Sequence, residues 1–244
     1  MRSFAFNILF YPVSTVFVIT GALLGLLPGR RPLMICLKAY TRTMMALMRW
    51  VAGIRIDVAG KDRLPKDGPF IIAAKHQSYG DGFVMFSQFD DLSFVTGDHL
   101  EKYPLIGGIL KKAGAVVVNS CGGPEARSAL SRSASLAEAE GRHILIYPEG
   151  HLSKVGEQHR YRSGVYHMHK DFGWPVVPVA TNLGERWSQQ DWTKTPGPAT
   201  VEFLDPIYPG KDKEAFMAEL ERAIETRSRA LSGLPAPFEM EHAA

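Results

Sequence analysis

Between Arg2 and Arg30 the chain carries no charged residue, and this stretch holds Phe4, Phe6, Ile8, Leu9, Phe10, Val13, Val16, Phe17, Val18, Ile19 and the run Leu23–Leu27. About 20 apolar residues in a helix suffice to cross a bilayer core. The segment is therefore either a membrane-contacting element or one half of a hairpin that buries its own apolar faces. A secretory signal fits less well, because the stretch is long and has no clean small-x-small cleavage site. Pro12 is expected to disturb a helix near its start and Pro28-Gly29 to end it. Arg30, Arg31 and Lys38 follow directly, and beside a spanning helix they would keep its C-terminal side in the cytoplasm. Residues 33–52 then interleave Leu33, Met34, Ile35, Leu37, Met44, Met45, Leu47, Met48, Trp50 and Val51 with Lys38, Arg42 and Arg49. Basic residues and Trp on one amphipathic helix suit the headgroup layer. Residues 1–53 are read as membrane-anchoring helices, spanning or interfacial.

Charge strengthens that reading. The formal net charge is only +3, from 28 basic and 25 acidic residues. Residues 1–60, however, hold seven Lys/Arg against Asp57 alone, a net +6, and the remainder holds 21 basic and 24 acidic residues, a net −3. The basic excess sits on the apolar head, so it points to an anionic membrane surface and not to nucleic acid. An apolar fraction of 45% with 22% charge excludes wholesale disorder and a polytopic membrane protein. Cys36 and Cys121 lie in no metal or redox spacing and are read as reduced thiols.

After Gly53, short apolar runs alternate with polar helical stretches. Strands are predicted at Arg55–Ala59, Phe70–Lys75, Ser93–Thr96, Ala115–Asn119, His143–Tyr147, Pro175–Ala180 and Ala199–Leu204. Helices are predicted at about 81–90, 103–113, 124–141, 161–172 and 211–231. Several strands are apolar throughout, as strands buried on both faces are. The body, 54–235, is thus expected to be an α/β domain with one mostly parallel sheet of about seven strands flanked by helices.

In such sheets functional groups gather beyond the carboxyl ends of strands. Two places qualify. In Lys75-His76-Gln77-Ser78-Tyr79-Gly80-Asp81, a strand ends, a turn carries Gly80, and Asp81 opens an apolar helix. Asp81 is placed to accept a hydrogen bond from the His76 ring, which would fix the tautomer and leave the other nitrogen as a base. The same spacing also fits a loop histidine and an aspartate that only caps its helix. The second place is Tyr147-Pro148-Glu149-Gly150-His151, where Glu149 is either a site carboxylate or part of a surface turn. No serine elbow, phosphate-cradling loop or dinucleotide signature occurs. His167 and His169 are two apart and on a helix would point apart, so no metal site is expected.

Together these blocks resemble the glycerolipid acyltransferase family that includes the 1-acylglycerol-3-phosphate acyltransferases. His76 to Asp81 matches its H-x-x-x-x-D motif, and Tyr103-Pro104-Leu105-Ile106-Gly107 followed by Gly114–Val118 matches its second block. Tyr147-Pro148-Glu149-Gly150 matches F-P-E-G, and Pro175–Val179 matches the closing V-P-V block. Tyr161-Arg162-Ser163-Gly164 falls where the family has an aromatic, a polar or basic residue, and Gly. The resemblance implies acyl transfer from an acyl-carrier protein or coenzyme A thioester to the hydroxyl of a lysophospholipid, with His76 as base and Asp81 orienting it. It implies substrate contacts at Tyr147, Pro148, Glu149, Gly150 and Arg162, no metal or redox cofactor, and a membrane-bound enzyme whose site faces the cytoplasm.

The departures concern the acceptor. Asn119-Ser120 stands where the family usually has Asp-Arg, Glu149-Gly150-His151-Leu152 where it has Glu-Gly-Thr-Arg, and Gly97-Asp98-His99-Leu100 where a Lys-rich run precedes the Pro. Serine and leucine cannot replace an arginine fork on phosphate. Either Lys102, Lys154, Arg160 or Arg162 substitutes, or the acceptor is a different lysolipid such as lyso-ornithine lipid. The rival readings are a non-catalytic membrane protein of the same fold and a thioesterase or lipid hydrolase in which water replaces the acceptor alcohol.

Overall fold

The computed structural model describes residues 1–103, 105–118, 124–189 and 192–237. The chain opens with helix α1 (Arg2–Gly25) and helix α2 (Arg31–Leu47), which runs into a wider turn over Met48–Ala52 and stops at Gly53 with φ 77°. Then follow β1 (Ile54–Ala59), β2 (Ile71–Ala74), α3 (Asp81–Gln88), β3 (Leu92–Gly97), α4 (Ile106–Ala113), β4 (Val116–Val118), α5 (Pro124–Ala139) and β5 (His143–Ile146). The order closes with α6 (Gly164–Phe172), β6 (Val176–Thr181), β7 (Gly197–Phe203) and α7 (Lys213–Leu231). All seven predicted strands and all five predicted body helices are present, with ends shifted by a few residues.

The strands form one sheet in the order β1-β7-β6-β2-β5-β3-β4. Every neighbouring pair is parallel except β6 with β7. Alternation along β2 sorts the core: Ile72 and Ala74 face Leu145, Val177, Phe203 and Met85, and Ile71 and Ala73 face Ile144, Val176, Val165, Phe216 and Ile224. One face is covered by α1 to α3, the other by α5 to α7. At Gly60, φ is 74° and an added Cβ would fall 2.0 Å from the Phe203 carbonyl oxygen, so the chain passes β7 closely only because no side chain is there.

The N-terminal helices do not form a free hairpin. Phe6, Met48 and Ala52 are fully buried in the same core as β2, β5 and β7. Near the other end of α1, Gly21 packs against Leu33 and Ile109. Asn7 accepts from Lys194 Nζ at 3.0 Å and donates to the Trp192 carbonyl at 2.9 Å. The helix is therefore held to the body near both of its ends. Its other side leaves Phe4, Ile8, Tyr11, Val16, Ile19 and Leu23 exposed. Pro12 lies inside α1 without ending it. A proline removes a single backbone donor, and the packing on both sides of it holds the helix together.

The turn between α1 and α2 is tied down by Arg30, which bonds Glu140 at 2.7 Å and Asp91 at 2.9 Å. The hydrogen bond from Arg30 holds the Glu140 carboxyl below its ordinary 4.5. A depressed carboxyl stabilises the fold above its unfolded pKa and loses that contribution as pH falls through the folded value. Arg30→Ala is expected to cost at most about 1 kcal/mol at neutral pH, since the pair is partly exposed. In urea unfolding series the gap to wild type should narrow progressively as the pH falls below 4.5.

Candidate active site

β2 and β5 are adjacent and parallel, with Ala73 opposite Ile146. The chain therefore leaves both strands side by side at the carboxyl edge of the sheet, the place where sites gather in such folds. Extending the same register three residues sets His76 beside Glu149, and the His76 backbone N–H donates to Glu149 Oε1 at 3.2 Å.

His76 Nδ1 lies 3.0 Å from Asp81 Oδ2. That oxygen also accepts the backbone N–H groups of Gln77 and Ser78, each at 2.8 Å. Gly80 is the N-cap of α3, and the Asp81 carboxylate reaches back across the turn. The carboxylate thus meets both the imidazole and the main chain of its own turn. Two main-chain donors fix the carboxylate, and the carboxylate selects the tautomer with the proton on Nδ1, leaving Nε2 as the acceptor. Asp81 is 4% exposed and the His76 side chain 22%, so the orienting group is buried while the ring reaches open space. Tyr147 stacks on the imidazole, with ring centroids 3.9 Å apart and planes 18° apart. Burial, and then the Asp81 charge, raise the Tyr147 hydroxyl well above its ordinary pKa, which keeps it neutral.

Glu149 departs from expectation. Its carboxylate turns inward, 1% exposed, to meet Lys75 Nζ at 3.0 Å and the Ser153 hydroxyl, and it does not line the cavity. The physical reason is Lys75: a cation inside the fold makes a buried carboxylate tolerable. The sequence showed Lys75 as a charge closing an apolar strand, and that was the available signal. Gly150 follows with φ 74°, and an ideal Cβ there would be 2.5 Å from Arg162 Nε, so the Arg162 side chain lies over this turn. The Arg162 N–H donates to the Pro148 carbonyl at 2.8 Å.

His76, Tyr147, Pro148, Gly150 and Arg162 all line one cavity of about 1500 Å³. That exceeds the roughly 300–1,000 Å³ usual for a small-molecule pocket. Its apolar lining, including Phe86, Phe94, Leu130 and Leu145, is buried or half-buried. Of its charged lining, Arg160, Arg162, Lys213 and Glu214 are exposed and Glu221 is half-buried. The cavity is thus greasy within and charged at its mouth. Of the expected substitute cations, Arg160 and Arg162 line it, and Lys102 and Lys154 do not; Lys213, from the first turn of α7, does so unforeseen. Leu152 lines it as well. Pro104, Asn119, Ser120 and Cys121 lie outside the described residues. His167 faces the cavity, whereas His169 Nδ1 is 2.7 Å from the Trp174 carbonyl oxygen and burial lowers its pKa.

Residues 55–182, just over half of the chain, match the family model described as Acyltransferase, a span that contains both site segments. The chain is 28% identical over 200 residues to the 1-acyl-sn-glycerol-3-phosphate acyltransferase of Pseudomonas aeruginosa, covering 82% of this chain and 77% of that one. It is 28% identical over 144 residues to the protein of the same description from Borreliella burgdorferi, covering 57% of this chain and 55% of that one. The crystal structure of the 1-acyl-sn-glycerophosphate (LPA) acyltransferase of Thermotoga maritima shares the fold, with a TM-score of 0.74 over 96% of this chain and 97% of that chain, at 20% identity.

Proposed function

The chain belongs to the acyltransferase family, and from that premise we propose that it moves a fatty acyl group from an acyl-carrier protein or coenzyme A thioester to the free hydroxyl of a lysophospholipid at a membrane surface. The observation that carries the reading is the His76 Nδ1 to Asp81 Oδ2 contact of 3.0 Å at the wall of a large, apolar cavity. His76 Nε2 takes the proton of the acceptor hydroxyl as its oxygen attacks the thioester carbonyl carbon. The new C–O bond forms, the oxyanion collapses, and the C–S bond breaks. The imidazolium, stabilised by Asp81, returns the proton to the leaving thiolate. Products are an ester and a free thiol. The balance is complete without redox chemistry or a covalent acyl-enzyme, so no cofactor is called for.

The apolar interior suits the acyl chain, and Arg160, Arg162 and Lys213 at the mouth suit an anionic headgroup. Each charge-assisted bond to phosphate contributes about 1.5–3 kcal/mol. Arg160→Ala/Arg162→Ala is therefore expected to lower kcat/KM for lysophosphatidate by about 100-fold or more. Turnover of a zwitterionic lysolipid should change far less. An acceptor panel of lysophosphatidate, lysophosphatidylcholine and lyso-ornithine lipid measures this. Lysophosphatidate turnover indifferent to both substitutions refutes the anchor. A preference for lyso-ornithine lipid assigns the acceptor to that class, a reading favoured by Leu152 and by the acids Glu214 and Glu221 at the same mouth. Thioester cleavage at full rate without any acceptor would make the chain a hydrolase.

Residues 1–53 are proposed to hold the body, 54–235, on the cytoplasmic face of the membrane. The exposed apolar side of α1 and the exposed Trp50, with the Arg49 guanidinium 5.1 Å from its ring, support contact with lipid. Burial of Phe6, Asn7 and Gly21 against the body favours an interfacial helix over a spanning one.

A further inference from the structure

Lys75 follows β2 directly and is 1% exposed. Its ammonium has three donors, and three acceptors surround it: Glu149 Oε2 at 3.0 Å, Glu225 Oε1 at 2.7 Å and the Glu157 carbonyl at 3.1 Å. Glu225 belongs to α7, 150 residues further along the chain. Its Oε1 also accepts the Tyr161 hydroxyl at 2.8 Å. Glu149, on the far side of Lys75, accepts the His76 N–H through its other oxygen, and the Ser153 N–H donates to the His76 carbonyl at 2.8 Å. Two chains of bonds thus leave one ammonium. One runs through Glu149 to the main chain of His76. The other runs through Glu225 to Tyr161, the neighbour of Arg162.

We propose that Lys75 and Glu225 are positioning residues that set the base, His76, and the headgroup anchor, Arg162, relative to each other, with α7 as the strut between them. The proposal rests on His76 and Arg162 having the roles given above. Apolar packing alone does not account for the arrangement. Replacing buried ion pairs with apolar groups of similar volume is often neutral or stabilising, so stability is a weak reason for a buried ion pair. An ammonium gripped by three directed acceptors supplies direction, which dispersion contacts do not. Burial raises the Glu225 carboxyl, and the Lys75 cation and the Tyr161 hydrogen bond act against it, so the group depends on its partners to remain charged.

Glu225→Leu separates positioning from packing. It leaves Lys75 in a one-to-one pair with Glu149, takes one negative charge from the cluster, and places an apolar side chain beside the Tyr161 ring. If Glu225 serves stability alone, the melting temperature falls because Lys75 and Tyr161 each lose an acceptor, while kcat and both KM values measured well below it stay as in the wild type. Positioning requires that kcat fall at least about tenfold, because displacement of a base by about 1 Å costs up to 100-fold. It also requires a severalfold rise in KM for the lysolipid, with KM for the thioester unchanged. Glu225→Gln, which keeps an oxygen for Lys75 and Tyr161, should recover most of the loss. Tyr161→Phe removes one hydroxyl and no charge, so it keeps the test decisive should Glu225→Leu fail to fold. It should raise the lysolipid KM and leave the thioester KM alone. Steady-state kinetics on the purified full chain, with melting curves on every variant, give all of these values. Transfer by the wild type that both Glu225→Leu and Tyr161→Phe leave within twofold overturns the positioning role alone. Absence of transfer by the wild type to every lysolipid overturns the proposed function, and the positioning role with it.

Discussion

Replacing His76 with alanine is expected to lower kcat by about 100- to 10,000-fold, the range that a positioned general base contributes. KM for the thioester should stay near its wild-type value, because the ring is only one part of the wall of a large cavity. The fold should survive, since the His76 main chain, not its ring, makes the buried contacts with Glu149 and Ser153. Asp81→Asn should come close to the same loss by a different route. The asparagine oxygen can still accept from Gln77 and Ser78, so the turn persists. The amide, however, cannot stabilise an imidazolium, and it competes for the wrong tautomer of the ring. Single-turnover transfer from labelled thioester to lysolipid measures both variants. A His76→Ala protein that keeps more than a tenth of the wild-type rate removes the base from the mechanism. Unchanged lipid acylation in cells that carry only that variant would favour a non-catalytic membrane protein.

Three aspartates on the outer face of α1, in Ile8→Asp/Ile19→Asp/Leu23→Asp, are expected to detach the protein from anionic vesicles. These side chains are 53%, 49% and 62% exposed, so the substitutions should leave the core as it is. Burying each apolar side chain in the interface contributes about 1.5–3 kcal/mol, which makes the loss in partition about 1,000-fold or larger. Arg31, Arg42 and Arg49 add electrostatic attraction of about 1 kcal/mol each near an anionic leaflet, which salt screens. Raised ionic strength should therefore weaken wild-type binding by a smaller factor than the aspartates do. Vesicle co-sedimentation checks both effects, and a triple variant that sediments like the wild type excludes α1 from the membrane contact.

How far the chain could be read without coordinates depended on the distance over which each feature is decided. The seven strands and five body helices were legible because apolar periodicity and the punctuation by Gly and Pro act within about ten residues. The His76–Asp81 contact was also legible, since both ends belong to one turn five residues long. The two main-chain donors that hold the Asp81 carboxylate, from Gln77 and Ser78, were not, because they depend on which way the carboxylate turns. The turn that carries Glu149 is legible in the sequence, and the direction of its carboxylate is not. Its inward direction is set by Lys75, which directly follows the neighbouring strand β2, 74 residues earlier. Lys213 at the cavity mouth and Glu225 behind His76 both come from α7, a helix whose local pattern announces only an amphipathic surface element.

The order of elements, the apolar head with its basic stripe, and the two site-bearing turns were thus determined by sequence alone, each through interactions among near neighbours in the chain. The tertiary structure decided which carboxylates face the cavity, which cations reach its mouth, and that α1 lies along the body. Those outcomes turn on how strands 70 or more residues apart pair, and on where a buried charge finds its counter-charge. Such a balance between desolvation and pairing exists only once the sheet has assembled.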